Sequence, residues 1–279
     1  MTVVTIMTIN LRRYKSVSYA SIKKNIAKLL IMTQNEAIIE TIRMLGGIAT
    51  LGDIYQNAFK IEDCKWGTKT PHASIRRIVR TTQGIYRIKP GLYALESYRK
   101  QLEANGIVEE TEFNKTSKVV QDFNHSYYQG LILTIGNLKK LQTFCPNQDK
   151  NKRFASGCLD DLRSLHQIPS FSYEELIHRS STIDVIWFNE RIMPHSFFEV
   201  EHSTDIINSL GKFNDLQDFY TAMYIVADKK REQEFKVKYN TSSFKDIREK
   251  KRVKFLSYDD LEKQYRSLIE VQEVSTLII

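Results

Sequence analysis

Two short segments constrain this chain more than any others: TIDVIWF at 182–188 and FFEVEH at 197–202, apolar runs that each carry carboxylates. Branched and aromatic residues at this density read as strands buried on a sheet, joined by the turn at Asn189–Pro194. In the second strand Glu199 and Glu201 alternate with Val200, so both carboxylates point to one face. Asp184 falls in the first strand, which the pattern begins at Ile183. If the two strands are neighbours, three carboxylates meet on one patch of sheet. Buried like charges are costly, so such a patch needs protons or a cation. Oxygen donors without cysteine and with few histidines suit Mg²⁺, with Mn²⁺ as a substitute.

The order of elements around these strands is that of an α/β protein. A helix is expected over 125–141, a strand at QTFCP (142–146), and helices near 159–165 and 173–178. After the acidic strands come a helix over 205–219, the strand TAMYIVAD (221–228), basic helical pieces at 229–239 and 243–250, the strand RVKFLSY (252–258) and a closing helix from Asp259. The sequence α–β–β–β–α–β fits a mixed sheet with helices on both faces. Glu175 lies on the helix before the first acidic strand and Lys212 on the helix after the second; both are auxiliary candidates. His202 points away from Glu201 by alternation and reads as structural. Gln129, on the first helix, is a candidate to bind through water, with simple solvation as the competing reading, and His125, His166, His178 and His195 show no metal spacing.

The first part of the chain has a different layout. Ile38, Ile39, Ile42, Met44 and Leu45 recur at helical spacing over 34–46, and Gly46-Gly47 end the run. A second helix is expected over 51–59. Thr70-Pro71 then starts a third, with Thr as N-cap and Pro at the first position. That helix runs to Thr81 with Ile75, Ile78 and Val79 on one side, and His72, Ser74, Arg76, Arg77 and Arg80 on the rest. YRIKPGLYAL (86–95) reads as a hairpin turning at Lys89-Pro90-Gly91.

Three helices and a hairpin make the layout of a winged helix, and KTPHASIRRIV with the following GLYAL resembles the winged helix-turn-helix domains attached to some restriction enzymes and chromatin factors. The resemblance implies a third helix in the major groove of DNA and a wing along the backbone. Lys69, Thr70, His72, Ser74, Arg76, Arg77, Arg80 and Lys89 are the residues it nominates for DNA contact. A solvated basic helix face is the competing reading.

The spacing ID-x14-EVE in the second half resembles the PD-(D/E)XK nuclease superfamily, in the E-x-E form known among type II restriction endonucleases, over roughly residues 125–265. By resemblance, Asp184 and Glu199 are metal ligands, the Val200 carbonyl is a backbone ligand, and Glu201 orients or deprotonates the attacking water or binds a second metal. Glu201 stands where the superfamily more often has Lys, which leaves the general base open. Phosphodiester hydrolysis needs a hydroxide-like nucleophile and relief of transition-state charge, and a divalent ion supplies both.

Composition agrees with this reading and excludes others. The formal net charge of +8 and sequence pI of about 9.2 favour a polyanionic partner, nucleic acid first. Lys229, Lys230, Arg231, Lys236, Lys238 and the stretch Arg248 to Arg252 are further candidates for the DNA backbone, or a solvated helix face. Cys64, Cys145 and Cys158 lack CxxC spacing, which points to a reducing compartment and away from zinc. No apolar run is long enough for a bilayer, the opening MTVVTIMTIN is a poor signal peptide, and no glycine loop matches a nucleotide fingerprint. The expected organisation is an N-terminal arm at 1–31, a winged helix at 32–106 and a nuclease domain at 107–279, with 97–126 as the linking stretch. Met32 heads a segment that itself reads like a protein start. The expected protein is a cytoplasmic, prokaryotic, homodimeric Mg²⁺-dependent type II restriction endonuclease acting on double-stranded DNA. A modification-dependent or repair nuclease and a non-catalytic winged-helix regulator are the alternatives.

Overall fold

A computed structural model describes residues 32–67, 69–202 and 205–276, with side chains as far as 271. The arm expected over residues 1–31 lies outside the described residues. The protein is mixed α/β. Its first part runs α1 (Gln34–Met44), β1 (Ile48–Thr50), α2 (Leu51–Ala58), α3 (Pro71–Thr81), β2 (Ile85–Lys89), β3 (Leu92–Leu95) and α4 (Arg99–Ala104). Thr33 and Glu36 form a capping box that starts α1, and Thr50 and Asp53 form another that starts α2. Gly46 and Gly47, at φ 87° and 84°, carry the chain out of α1 through left-handed conformations that most residues avoid. Pro71 opens α3 at its first turn, and the side chain of Thr70 makes no capping hydrogen bond. β1, three residues that the sequence pattern misses, pairs antiparallel with β3, so the small sheet has the order β1-β3-β2.

The second part holds α5 (Lys118–Leu138), β4 (Gln142–Phe144), the short pair β5 (Arg153–Phe154) and β6 (Gly157–Cys158), and α6 (Glu174–Ser180). Then follow β7 (Val185–Phe188), β8 (Pro194–Glu201), α7 (Ile206–Asp215), β9 (Ala222–Ala227), α8 (Glu232–Tyr239), α9 (Lys245–Glu249), β10 (Val253–Ser257) and α10 (Tyr258–Thr276). Only a 3₁₀ turn, Leu159–Asp161, forms where a helix was expected over 159–165. The main sheet has the order β10-β9-β8-β7-β4. β4, β7 and β8 are antiparallel, while β8, β9 and β10 are parallel, with α7 bridging the first parallel pair.

β8 is the central strand, and its alternation sorts the interior in two. Phe198 and Val200, with Val185 and Trp187 of β7, face the side of α5; Phe197, Ile186 and Phe188 pack with Leu210 and Phe213 of α7. The first of these clusters runs unbroken from Ile38 through Leu102, Ile107 and Leu131 to Ile269, so the expected linker at 97–126 contributes to a shared interior. Helix α5 is buried around most of its circumference, which explains its wide apolar stripe. Its close approach depends on two glycines. A Cβ at Gly130 would lie 2.1 Å from the Phe154 ring, and one at Gly136 would lie 2.5 Å from Thr143 and Trp187.

Ala ordinarily gains up to about 1 kcal/mol over Gly inside a helix. Here Gly130→Ala is expected to lose about 1–3 kcal/mol instead, because an overpacked core must shift to admit the methyl group. Urea unfolding of the variant against the wild type checks the sign.

Candidate active site

Antiparallel pairing of β7 with β8 sets Val185 opposite Phe198, so Asp184 comes opposite Glu199. The two segments are therefore neighbours, as the sequence implies. Asp184 precedes β7 by one residue, however, and the pleat does not bind its side chain. Its Oδ2 accepts a hydrogen bond from the Val200 amide at 2.7 Å and lies 3.2 Å from His125 Nε2 on α5. Its backbone amide donates weakly to Glu199 Oε1 at 3.4 Å. Glu199 and Glu201 lie on the opposite face, toward α7, where Ser209 Oγ reaches Glu199 Oε2 at 2.9 Å and also touches Glu201 Oε1. The three acids thus adjoin one another but do not converge: among the described residues no three His, Cys, Asp or Glu side chains gather as a metal-binding group.

Lys212 of α7 closes the Glu199 side. Its Nζ lies 3.0 and 2.8 Å from the two Glu199 oxygens and donates to Thr182 O at 2.9 Å. The Glu199 side chain is 3% exposed and that of Lys212 15%. Despite this ion pair, burial and the negative charge of Asp184 push the Glu199 carboxyl up to about 8, with Lys212 and Ser209 opposing. Asp184 goes the other way. Burial would raise it, but the His125 charge and hydrogen bond and the Val200 amide hold it below the usual carboxylate range. His125 is correspondingly raised, since Asp184 outweighs its burial. Ser209 has one hydroxyl proton for two carboxylates, so its contacts are complete only when one glutamate is protonated or a cation stands between them.

Access to the acids is one-sided. Glu199 and Glu201 are sealed beneath α7, whereas Asp184 and His125 retain 16% and 22% side-chain exposure. A cleft on that side is lined by Thr116, Lys118, Gln121, Asp122, His125, Lys152 and His202. Behind it Gln129, from sequence a candidate to bind through water or simply solvated, is fully buried and donates to Asp149 Oδ2 and Asp184 O. His125 and Ser209 were not nominated by sequence reasoning. His125 sits 59 positions from Asp184, and only the packing of α5 on the sheet brings them together. Glu175 is exposed in the first turn of α6, and no hydrogen bond or ion pair joins it to the site.

The residues nominated for DNA contact divide. Lys69, Thr70, Arg77 and Arg80 are exposed on or beside α3. Ser74 is half-buried, and His72 packs its ring on Tyr55 and Phe59, at 4.4 and 5.7 Å. Arg76 donates to Tyr55 Oη at 3.1 Å and pairs with Glu270 of α10. Lys89 departs from its expected place on a wing: it is buried, with Nζ 3.2 Å from Glu110 Oε2 and over the Tyr128 ring. The turn that carries it is fastened inward, with Tyr127 Oη donating to Pro90 O and the Leu51 amide to Gly91 O. In the basic stretch after β9 part of the charge is answered in place, Lys229 and Lys236 sharing Glu232, and Arg231 and Lys238 sharing Glu234. Arg231 also donates to Glu201 O at 3.0 Å. No helix among the described residues is long and apolar enough to cross a membrane.

Residues 107–276 match the family model of the type II restriction enzyme NmeDI C-terminal domain, which covers more than half of the chain. No curated protein and no solved structure matches the chain.

The raised carboxyl of Glu199 sets a pH dependence in metal-free protein. A group whose folded value exceeds its unfolded one stabilises fully below the unfolded value, and that contribution is lost as pH rises through the folded one. Stability in EDTA is therefore expected to fall between about pH 4.5 and about 8. Raised Glu262, also at about 8, and raised His125 act in the same sense. Glu199→Gln is expected to remove one proton's share, up to about 1.4 kcal/mol per pH unit, from that slope. Urea unfolding at several pH values reads it.

Proposed function

The chain belongs to the NmeDI C-terminal domain family of type II restriction enzymes, nucleases acting on DNA, and from that premise we propose that it is a Mg²⁺-dependent endonuclease cutting duplex DNA at a specific sequence. In this reading residues 107–279 form a PD-(D/E)XK nuclease core and residues 32–106 a winged helix-turn-helix reader. The observation that carries it is the placing of Asp184 opposite Glu199 across β7 and β8, within the order α5-β4-β5-β6-α6-β7-β8-α7-β9. The reader rests on the order α1-β1-α2-α3-β2-β3 with β1 against β3, an order that fits a helix-turn-helix closed by a hairpin.

Asp184, Glu199 and the Val200 carbonyl are the groups that would hold the metal. The donor chemistry fits: all are hard oxygens, and the charge that burial denies Glu199 is what a divalent cation would restore. Bound there, Mg²⁺ or Mn²⁺ supplies a Lewis acid and a water of lowered pKa. Lys212 supplies the positive charge that Glu201 cannot, while Glu201 is the proposed acceptor of the attacking water's proton. His125 holds the Asp184 carboxylate at the open side of the site. Lys69, Thr70, Arg77 and Arg80 are the proposed contacts to duplex DNA, with Arg76 joining them on release from Glu270. Restriction in a prokaryotic cytoplasm, by a homodimer, is the context this reading implies.

Plasmid incubated with the protein is expected to give discrete fragments with Mg²⁺ and none with EDTA. Glu199→Ala is expected to abolish cutting and leave duplex binding in place; normal cutting by that variant defeats the site. Arg77→Ala and Arg80→Ala are each expected to weaken binding and lower the slope of log affinity against log salt by about 0.9. Unchanged slopes would remove α3 from the interface.

A further inference from the structure

Beyond Glu201, strand alternation turns His202 to the α5 side. There Asn124, fully buried on α5, places its Nδ2 2.8 Å from Glu110 Oε2 and 3.2 Å from His202 Nε2. Glu110 Oε2 in turn receives Lys89 Nζ at 3.2 Å. The charge of Lys89 and the Asn124 hydrogen bond outweigh burial and keep the Glu110 carboxyl below its ordinary range. An ionised carboxylate only accepts, so the nitrogen of the Asn124 amide must face Glu110. That same nitrogen then donates to His202 Nε2, which must carry a lone pair, and the imidazole proton falls on Nδ1. A protonated ring would set two donors against each other. The orientation leaves Asn124 Oδ1 without a hydrogen-bond partner among the described residues, so Glu110 and His202, not the amide oxygen, hold the group.

His202 Nδ1 is buried and has no hydrogen-bond partner among the described residues. A donor left so is a cost unless something else accepts from it. Its ring lines the cleft that also exposes His125, the partner of Asp184, together with Lys118 and Lys152. Asp122 also lines the cleft and Lys152 pairs with Asp149 at 2.7 Å, so Lys118 and a neutral imidazole donor before a buried acid are the groups left to recognise a phosphodiester oxygen. We propose that a DNA strand entering this cleft uncovers His202 Nδ1–H, which then donates to a phosphate oxygen, and that Asn124, Glu110 and Lys89 are positioning residues that fix its tautomer. The inference rests on the nuclease reading and gives Lys89 an internal task in place of a wing contact.

Long-range ¹H–¹⁵N spectra of labelled full-length protein report the tautomer directly. The His202 ring is expected to be protonated at Nδ1, and its signals to move when a random-sequence duplex is added in Ca²⁺. An Nε2-protonated ring, or signals unmoved at saturating duplex, would overturn the proposal. Asn124→Leu is expected to erase the tautomer preference; should it unfold, Glu110→Gln makes the same test at nearly constant volume, and a preference that survives counts against the relay. In cleavage, His202→Asn puts an amide nitrogen near the place of Nδ1, whereas His202→Gln puts one near Nε2. Asn is expected to retain activity while Gln and Ala lower kcat/KM about tenfold, the size of one lost hydrogen bond. Equal rates for all three variants sink the contact. A wild type that leaves DNA intact in Mg²⁺ defeats the nuclease reading, and the His202 contact is then decided by the duplex-induced shifts alone.

Discussion

The structure turns on a carboxylate that should not be where it is. Glu199 lies on the central strand of the main sheet, almost wholly buried, opposite a second acid. Left alone, either charge would be expelled or neutralised. Each acid is answered from a different helix, though burial and Asp184 still hold the Glu199 carboxyl raised. Lys212 and Ser209 on α7 hold Glu199 from one face, and His125 on α5 holds Asp184 from the other. Both helices must dock on β8 for the acids to remain buried, so the chemistry of the site and the packing of the sheet are one constraint. The division also sets the two pKa directions apart: the acid against an imidazole and a backbone amide is lowered, while the acid deeper in the sheet is raised. Two carboxylates with opposed tendencies are the usual preparation for different roles at one site.

Helix α5 makes this arrangement possible. Its glycines let Phe154 and Trp187 press against the helix backbone, and Trp187 Nε1 donates to Ile132 O at 3.0 Å. The same helix presents Asn124, His125 and Gln129 within a turn and a half, all aimed at the end of β7 and β8. A small shift of α5 would therefore move the Asp184 partner, the His202 partner and the Asp184 carbonyl contact together. Close packing gives these polar groups their geometry.

Sequence pattern revealed the parts whose cause is local. The Pro71 start of α3 and the alternation of Glu199 with Val200 follow from dihedral and pleat rules, and they stand as read. What escaped depends on distant partners. Three residues, Ile48–Thr50, are too few to show alternation, and they become a strand only because β3 is there to pair with them. Asp184 looked like a strand residue because its neighbours are apolar, yet it sits just before β7, free to bend toward Val200 and His125. Gln129 looked open to water because amides usually are; its burial is legible only once Asp149 and Asp184 O are known to be near. Lys89 was misplaced for the same reason. A lysine beside Pro-Gly reads as an exposed turn, and nothing local announces Glu110 or the Tyr128 ring.

Lys89 also decides how the two parts of the chain are joined. Were the hairpin tip a free wing, the two parts would meet through a flexible stretch, and the distance between them would be set by chain length. Instead the turn is bonded to α5 and α2, while Leu102 and Ile107 fill the shared interior. The link from Lys89 through Glu110 and Asn124 to His202 ends one residue beyond Glu201. A buried ammonium without Glu110 would carry a large desolvation cost, so breaking this link costs more than loosening a surface contact. The position of α3 is thereby fixed relative to β8 by packing and by one ion pair with a buried lysine, and the spacing between them is a property of the fold and not of a linker.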